Sequence, residues 1–385
     1  MVFEFATAGR IIFGPGTLKQ IGPLAKEIGE RAFVVIGRSL SRTENLLESL
    51  RRNGIKSFVF HVPGEPTIDW IRDGAHQARE SNCELILGFG GGSVLDAGKA
   101  IAALAANEGE IEDYIEVIGR ALPLTLPSKP YMAIPTTAGT GAEVTRNAVL
   151  TSPVHRVKVS LRSPMMIPRL ALIDPELTYP LPPEITAGTG LDALTQLIEP
   201  FVSLKANPLT AAICRQGIQR VACSLRRAYE EADNEIARQD MALASLFGGL
   251  ALANAGLGAV HGLAAPIGGM FPAPHGQVCA RLLPLVMAVN IRALQDRSPD
   301  SPALKVYEEI ARLLTRKDRA RPIDAVHWIQ EISRYFGIPS LSRYGVTLEA
   351  VPDLIQRGAA ASSMKGNPIE LTPDEMKEIL LKAVE

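Results

Sequence analysis

The sequence predicts an α/β amino-terminal half, built as a parallel sheet covered by helices, followed by an all-α carboxyl-terminal half. Three observations carry that prediction. Short apolar runs alternate with helix-period patterns through about the first 150 residues, the arrangement that yields a parallel sheet with ligand sites at the carboxyl ends of its strands. Beyond Asp174-Pro175-Glu176-Leu177 the strand patterns stop and helical periodicity runs on to the end. Residues 241–280 hold no Asp, Glu, Lys or Arg, yet contain two of the six histidines, His261 and His275. A chain of 385 residues supports two domains with a core each, which we expect at 1–180 and 181–385.

In order along the chain, residues 32–36 (AFVVI), 57–62 and 85–87 read as strands, and 16–28, 41–53 and 67–81 as helices. The strand ending at Leu87 runs into Gly88-Phe89-Gly90-Gly91-Gly92-Ser93 and then into a helix carrying Asp96 and Lys99. Glycines let the backbone approach a pyrophosphate closely, and free amides at a helix start favour an anion. A plain glycine turn would show the same cluster, but the strand before and the helix after favour the phosphate reading. A strand at 131–134 is followed by Pro135-Thr136-Thr137-Ala138-Gly139-Thr140-Gly141-Ala142-Glu143. Its hydroxyls and bare backbone suit nucleotide contacts, and the same spacing serves a capped loop-to-helix junction equally well.

In the second half, a helix opens near Thr186 with Leu191, Leu194, Ile198 and Phe201 on its apolar face. Asp192, Gln196 and Glu199 form a polar stripe at i, i+4 and i+7, which a charge-poor, glycine-led helix start turns inward. The charge-free stretch 241–280 is long enough to span a membrane, but its eight glycines and three prolines would leave amides unsatisfied in lipid. It reads instead as a buried helix, about 241–257, followed by a tight glycine- and proline-rich turn region. A lone buried histidine is more often a hydrogen-bonded core residue than a ligand. Two in one uncharged segment, with a carboxylate available elsewhere, point to a metal or catalytic site. If the stripe meets them, Asp192, His261 and His275 make a divalent site with a position left for water or substrate oxygen, and Gln196 adds a weak, neutral ligand. His61, His76, His155 and His327 lie in charged or helical surroundings and read as structural or surface residues.

Composition narrows the function classes. With 40 basic and 41 acidic residues and no long block of either sign, neither nucleic acid nor an anionic membrane is an expected partner. Cys83, Cys214, Cys223 and Cys279 are scattered, which fits reduced thiols in the cytoplasm better than disulfides or a cysteine zinc site. The opening MVFEFATAGRIIFGPG lacks the basic start and apolar core of a signal peptide, and no internal repeat or low-complexity segment is visible.

Taken together, the segments FEFATAGRIIFGPGTLKQIG, GFGGGSVLDAGKAIA, AIPTTAGTGAEVT, IDPELT, GLDALTQLIEPFVS, HGLAAPIGGMFPAPHGQVCARLLPLVMAVN and MKGNPIELT resemble, in this order and spacing, the iron-containing (group III) alcohol dehydrogenase family. Its relatives include glycerol dehydrogenase, maleylacetate reductase and dehydroquinate synthase, and the resemblance covers essentially the full length. It implies a dehydroquinate synthase-like fold: a Rossmann-like dinucleotide-binding domain, then an all-α metal-binding domain, with a cleft between them. It also implies hydride transfer between a nicotinamide and an alcohol or aldehyde, assisted by iron or zinc where metal is bound, in a homodimer suggested by family habit and an amino-terminal strand pair.

By position, Gly90, Gly91, Gly92 and Ser93 resemble the pyrophosphate loop. Asp96, Thr136, Thr137 and Thr140 resemble nucleotide contacts, Lys158 a polar contact near the ribose, and Asp192, His261 and His275 metal ligands. Two positions depart from the family pattern. Gln196 stands where a histidine usually follows the Asp by four residues, and Ala265 where a further histidine near the nicotinamide often stands. Weak or variable metal binding is therefore expected, with bound water or the ribose hydroxyl as the source of the proton. At the end of the strand Val34-Val35-Ile36, Gly37 replaces the Asp that NAD-selective members often carry. Arg38 and Ser39 can then contact a 2′-phosphate, which predicts NADP(H) over NAD(H); an ordinary turn with a surface arginine is the competing reading. A maleylacetate reductase-like enzyme, a carbon–oxygen lyase of the dehydroquinate synthase type, and a nucleotide-binding protein without catalysis are the alternatives.

Overall fold

A computed structural model describes residues 2–38 and 43–385. Its strands are β1 (Ile11–Phe13), β2 (Arg31–Ile36), β3 (Lys56–His61), β4 (Leu85–Gly90), β5 (Tyr131–Pro135), β6 (Asn147–Ser152), β7 (Val157–Arg162) and β8 (Leu170–Ile173). Six of them form one sheet in the order β1-β8-β5-β4-β2-β3, and every pairing in it is parallel. The helices α1 (Ile21–Lys26), α2 (Glu44–Arg52), α3 (Ile68–Glu80), α4 (Gly92–Ala106) and the single turn α5 (Ile111–Tyr114) accompany it. The unbroken apolar run of β2 follows from burial on both faces. Ala32, Val34 and Ile36 pack with Leu46 and Leu50 of α2, whereas Phe33 and Val35 join the core that holds Ile71 of α3 and Leu95 of α4. Each of these side chains larger than alanine contributes about 1.5–3 kcal/mol by leaving water.

The hairpin of β6 and β7 interrupts the expected alternation. Its inward residues Ala148, Leu150, Val159 and Leu161 close over the α3–α4 core. The amino-terminal strand pair expected from the sequence does not form among the described residues. Residues 2–8 carry no strand, and β1 pairs with β8 instead.

The carboxyl-terminal part is all helical: α6 (Pro183–Val202), α7 (Pro208–Glu230), α8 (Glu235–Ala255), α9 (Ala259–Met270), α10 (His275–Arg297), α11 (Pro302–Thr315), α12 (Pro322–Tyr335), α13 (Val351–Ala360) and α14 (Pro373–Val384). By contact density the chain separates into a sheet-containing unit, residues 6–137 with 141–179, and a helical unit of 138–140 and 180–385 together with the segment ending at Phe5. Helix α6 is central to the helical unit, packed by α7, α8 and α10 and buried along nearly its whole length.

The stretch 241–280 departs from its expected form. Helix α8 begins earlier, where the Asn234 side chain accepts the Ala237 amide, and ends at Gly256, whose left-handed φ of 72° stops it. The region expected as a tight turn is helix α9, set at 100° to α8. Its apolar period, Val260, Leu263, Ala264 and Ile267, is fully buried and outweighs the glycines and the internal Pro266. Helix α10 is long and apolar enough to cross a membrane, but 72% of its apolar stretch is buried against its neighbours in this unit.

Candidate metal centre and nucleotide loop

Helix α6 presents Asp192, Gln196 and Glu199 on one face, and all three are buried. Helix α9 supplies His261 in its first turn, and α10 supplies His275 at its first position and Cys279 one turn later. The Asp192 Oδ1 lies 3.5 Å from His261 Nε2 and 3.7 Å from His275 Nε2. The Cys279 Sγ lies 3.6 Å from His275 Nε2 and 3.9 Å from His261 Nε2. One ligand atom from each of these four residues falls within 4.8 Å of every other.

Glu199 fixes this arrangement from behind. Its Oε2 is 2.6 Å from His261 Nδ1, and its Oε1 accepts the Val260 amide at 2.7 Å in the first turn of α9. Glycine at 258 permits the approach, since a Cβ there would stand 3.0 Å from both Glu199 Oε1 and Asn367 Oδ1. With Nδ1–H donating to Glu199, the Nε2 lone pair of His261 faces the cluster, the second-sphere arrangement by which carboxylates orient metal-binding imidazoles. Asn367, in the closing motif, accepts the Ala259 amide and pairs with Asn290, locking the same helix start.

The electrostatics call for a cation. Gln196 donates from Nε2 to Asp192 Oδ2 at 3.1 Å, while Gln196 Oε1 and Asp192 Oδ1 are buried with no hydrogen-bond partner. Burial alone would raise the Asp192 carboxyl, yet His275 and His261 hold it below its ordinary value. Burial opposes charge on His261, but Cys279, Glu199 and Asp192 push its pKa well above that of a free imidazole. Burial pushes the Cys279 thiol up to about 12. An orphaned carboxylate oxygen beside two imidazoles fits a divalent ion, which would compete with protons for the same lone pairs.

Sequence reasoning assigned no role to Cys279 and grouped it with the scattered, reduced thiols; the structure corrects this by seating it in the cluster. The available signal was the four-residue spacing from His275 on one helix, which puts both on one face. Glu199 was placed in the stripe without its partner, because its contact with His261 spans 62 positions.

In the sheet unit the chain reverses direction across the sheet between β2 and β4, and Gly37 and Gly90 stand at the carboxyl ends of those strands. Helix α4 starts at Gly92 without a side-chain cap, leaving amides for an anion. A Cβ at Gly90 would meet Val94 Cγ2 at 2.6 Å, and one at Gly91 would meet Thr137 at 3.3 Å, so the loop is a cradle that side chains would fill. Ser93 lies in the first turn of α4. The Thr136 amide bonds the Gly90 carbonyl at 2.9 Å, bringing the threonine segment to the loop. Thr140 falls in the segment that groups with the helical unit. Asp96 is engaged by Lys99 (3.0 Å) and the Val149 amide (3.0 Å), and Lys158 by Glu65 (2.7 Å). Arg38 donates from Nε to the Pro63 carbonyl, and Ser39 lies outside the described residues.

Residues 8–175 match the iron-containing alcohol dehydrogenase family model, and 186–384 match the Fe-containing alcohol dehydrogenase family carboxyl-terminal model. The chain belongs to the iron-containing alcohol dehydrogenase family. It is 34% identical to 1,3-propanediol dehydrogenase of Citrobacter freundii over 390 residues, covering 99% of each chain. It is 31% identical to the NAD-dependent methanol dehydrogenase of Bacillus methanolicus, covering 97% of each. A crystal structure of a 1,3-propanediol oxidoreductase, 33% identical, superposes with a TM-score of 0.91 over the whole of both chains. As a member of this family the protein is an oxidoreductase that interconverts alcohols and carbonyl compounds by hydride transfer, and the lyase alternative is not favoured.

Proposed function

We propose that this alcohol dehydrogenase is a cytoplasmic homodimer that prefers NADP(H), with Asp192, His261 and His275 holding a divalent ion, iron or zinc, in the helical unit. The observation that carries the metal assignment is the convergence of two imidazoles on the orphaned Asp192 Oδ1. Gln196 offers only a neutral oxygen, so the site holds iron less tightly than one with a third imidazole. When bound, the nicotinamide supplies the hydride and the metal supplies Lewis acidity toward the substrate oxygen.

The chain's own residues do the rest. Glu199 holds the His261 tautomer, and the charge-free stretch 241–280 beside the cluster limits the entry of water. Half-exposed His275 marks the open side from which a small alcohol or aldehyde approaches. Ala265 offers no proton relay, so the proton moves through water or the cofactor's ribose hydroxyl. Gly90 to Ser93 and the start of α4 receive the pyrophosphate, and Thr136, Thr137 and Thr140 border the nucleotide. Asp96 and Lys158, already ion-paired, brace that loop and the adjoining hairpin. Gly37 and Arg38 make room and charge for a 2′-phosphate. Exposed Val2 and Phe3 support self-association, for which sedimentation gives the mass directly.

Purified protein incubated with NADPH or NADH and a panel of small aldehydes tests the whole reading. Oxidation of NADPH that is lost in Asp192→Asn is the expected result. No consumption of either reduced nicotinamide with any aldehyde would refute it.

A further inference from the structure

Cys279 distinguishes this metal cluster from a plain aspartate and two-histidine site. Like Cys214 it is fully buried in the core of the helical unit, but its Sγ also faces two imidazole nitrogens. Beside it Asp192 Oδ1 is buried without a hydrogen-bond partner, and the Nε2 of His261, whose Nδ1 is turned toward Glu199, lies 3.5 Å from that oxygen. Sulfur, carboxylate oxygen and two imidazole nitrogens therefore converge on one point from three helices.

The spacing carries the argument further. Zinc takes nitrogen and oxygen ligands near 2.0–2.2 Å and sulfur near 2.3 Å, so a tetrahedral set has ligand-to-ligand edges of about 3.3–3.6 Å. Four of the six edges here are 3.5, 3.7, 3.6 and 3.9 Å, within a few tenths of an ångström of that figure, and the other two are no longer than 4.8 Å. Gln196, by contrast, is turned so that its amide nitrogen bonds Asp192.

We infer that Cys279 is the fourth protein ligand of the metal, as a thiolate, taking over the donor function that Gln196 cannot supply. This rests on the proposed metal reading of the cluster and adds to it the coordinating atom and the metal preference. As the sulfur–metal bond forms, the thiol proton leaves to solvent, and the thiolate with the Asp192 carboxylate neutralises a dication. A mixed S, N, O set favours zinc, and its cobalt analogue, over ferrous iron. An incoming substrate oxygen then adds as a fifth donor.

Cobalt(II) substitution tests this without recourse to turnover. The probe is Co²⁺ added to chelator-stripped protein in a Cys223→Ser background, which removes the one exposed thiol. The expected result is one equivalent bound with an intense thiolate-to-cobalt charge-transfer band in the near ultraviolet. That band disappears in Cys279→Ser, which still takes up cobalt but binds zinc on the order of 100-fold more weakly. Should Cys279→Ser fold poorly, Cys279→Ala and protection of Cys279 from alkylation by zinc in the unaltered chain give the same reading. One equivalent of cobalt without the band, or a band that survives Cys279→Ser, overturns the thiolate ligand and leaves the metal site standing. No cobalt uptake, or uptake unchanged in Asp192→Ala, overturns both.

Discussion

At the scale of single residues, the two departures from the family pattern can be reversed one at a time. The Gln196 side chain runs past Gly248, where an added Cβ would stand 3.2 Å from Gln196 Cβ, and its amide nitrogen bonds Asp192. An imidazole in its place would add a neutral nitrogen donor to a set that already has two. Gln196→His should therefore retain iron about tenfold more tightly through dialysis against chelator, measured by metal analysis. Iron content no higher than in the unaltered protein would mean that position 196 does not face the ion. Gly37 concerns the cofactor. Among the described residues a Cβ built there meets only Val94 Cγ2, at 3.7 Å, an ordinary contact that leaves room for an aspartate. Its carboxylate would accept from the adenosine ribose and repel a 2′-phosphate, an effect of about 1–3 kcal/mol. The ratio of kcat/KM for NADPH over NADH should thus fall about 10- to 100-fold in Gly37→Asp. A protein that already uses NADH as well as NADPH before the change would remove the basis for this assignment.

At the scale of elements, the turn joining β5 to β6 buries a carboxyl. Glu143 is 2% exposed, and burial pushes it up to about 7 against the pull of its own amide and of Lys99. Because the folded state holds this proton more tightly than the unfolded chain, the contribution is fully present below about pH 4.5 and is lost as pH rises toward 7. A span of that width corresponds to about 3 kcal/mol at most. Urea midpoints of the unaltered protein should fall between pH 5 and 8 by more than those of Glu143→Gln, which carries no proton to lose; identical slopes would contradict the prediction. The same turn shows what the sequence made legible. The buried strands 32–36, 85–87 and 131–134 were readable because two-sided burial writes itself as an unbroken apolar run. The β6–β7 hairpin has the alternating pattern of a one-sided strand, a weaker signal beside a glycine-rich loop. Helix α9 was misread because its glycines and Pro266 speak for a turn locally, while the burial that holds the helix comes from distant elements. The Asp192 stripe and the two histidines stood out by charge pattern alone. Cys279 and the Glu199–His261 bond needed three dimensions, since the contacts that define them cross from helix to helix.

At the scale of the whole molecule, the two kinds of site belong to separate units. Asp192, His261, His275 and Cys279 come from three helices of one unit, and the glycine loop with Gly37 from the sheet of the other. Ligand binding stabilises whatever must be folded to bind, by RT ln(1 + [L]/Kd), or about 2.7 kcal/mol at a hundredfold excess over Kd. Zinc should therefore slow amide exchange most in α6, α9 and the first turns of α10, where the ligand atoms are anchored. The largest effect is expected at Val260 and His261, because the Glu199 bond to the Val260 amide must break for that turn to open. NADP(H) alone should instead slow exchange at Gly37 and from Gly91 to Ser93, where the uncapped start of α4 offers amides to the phosphates. Hydrogen exchange with zinc alone, nucleotide alone and both separates these footprints. Protection by zinc centred on the glycine loop, or by nucleotide centred on α9, would show that the two ligands have been assigned to the wrong units.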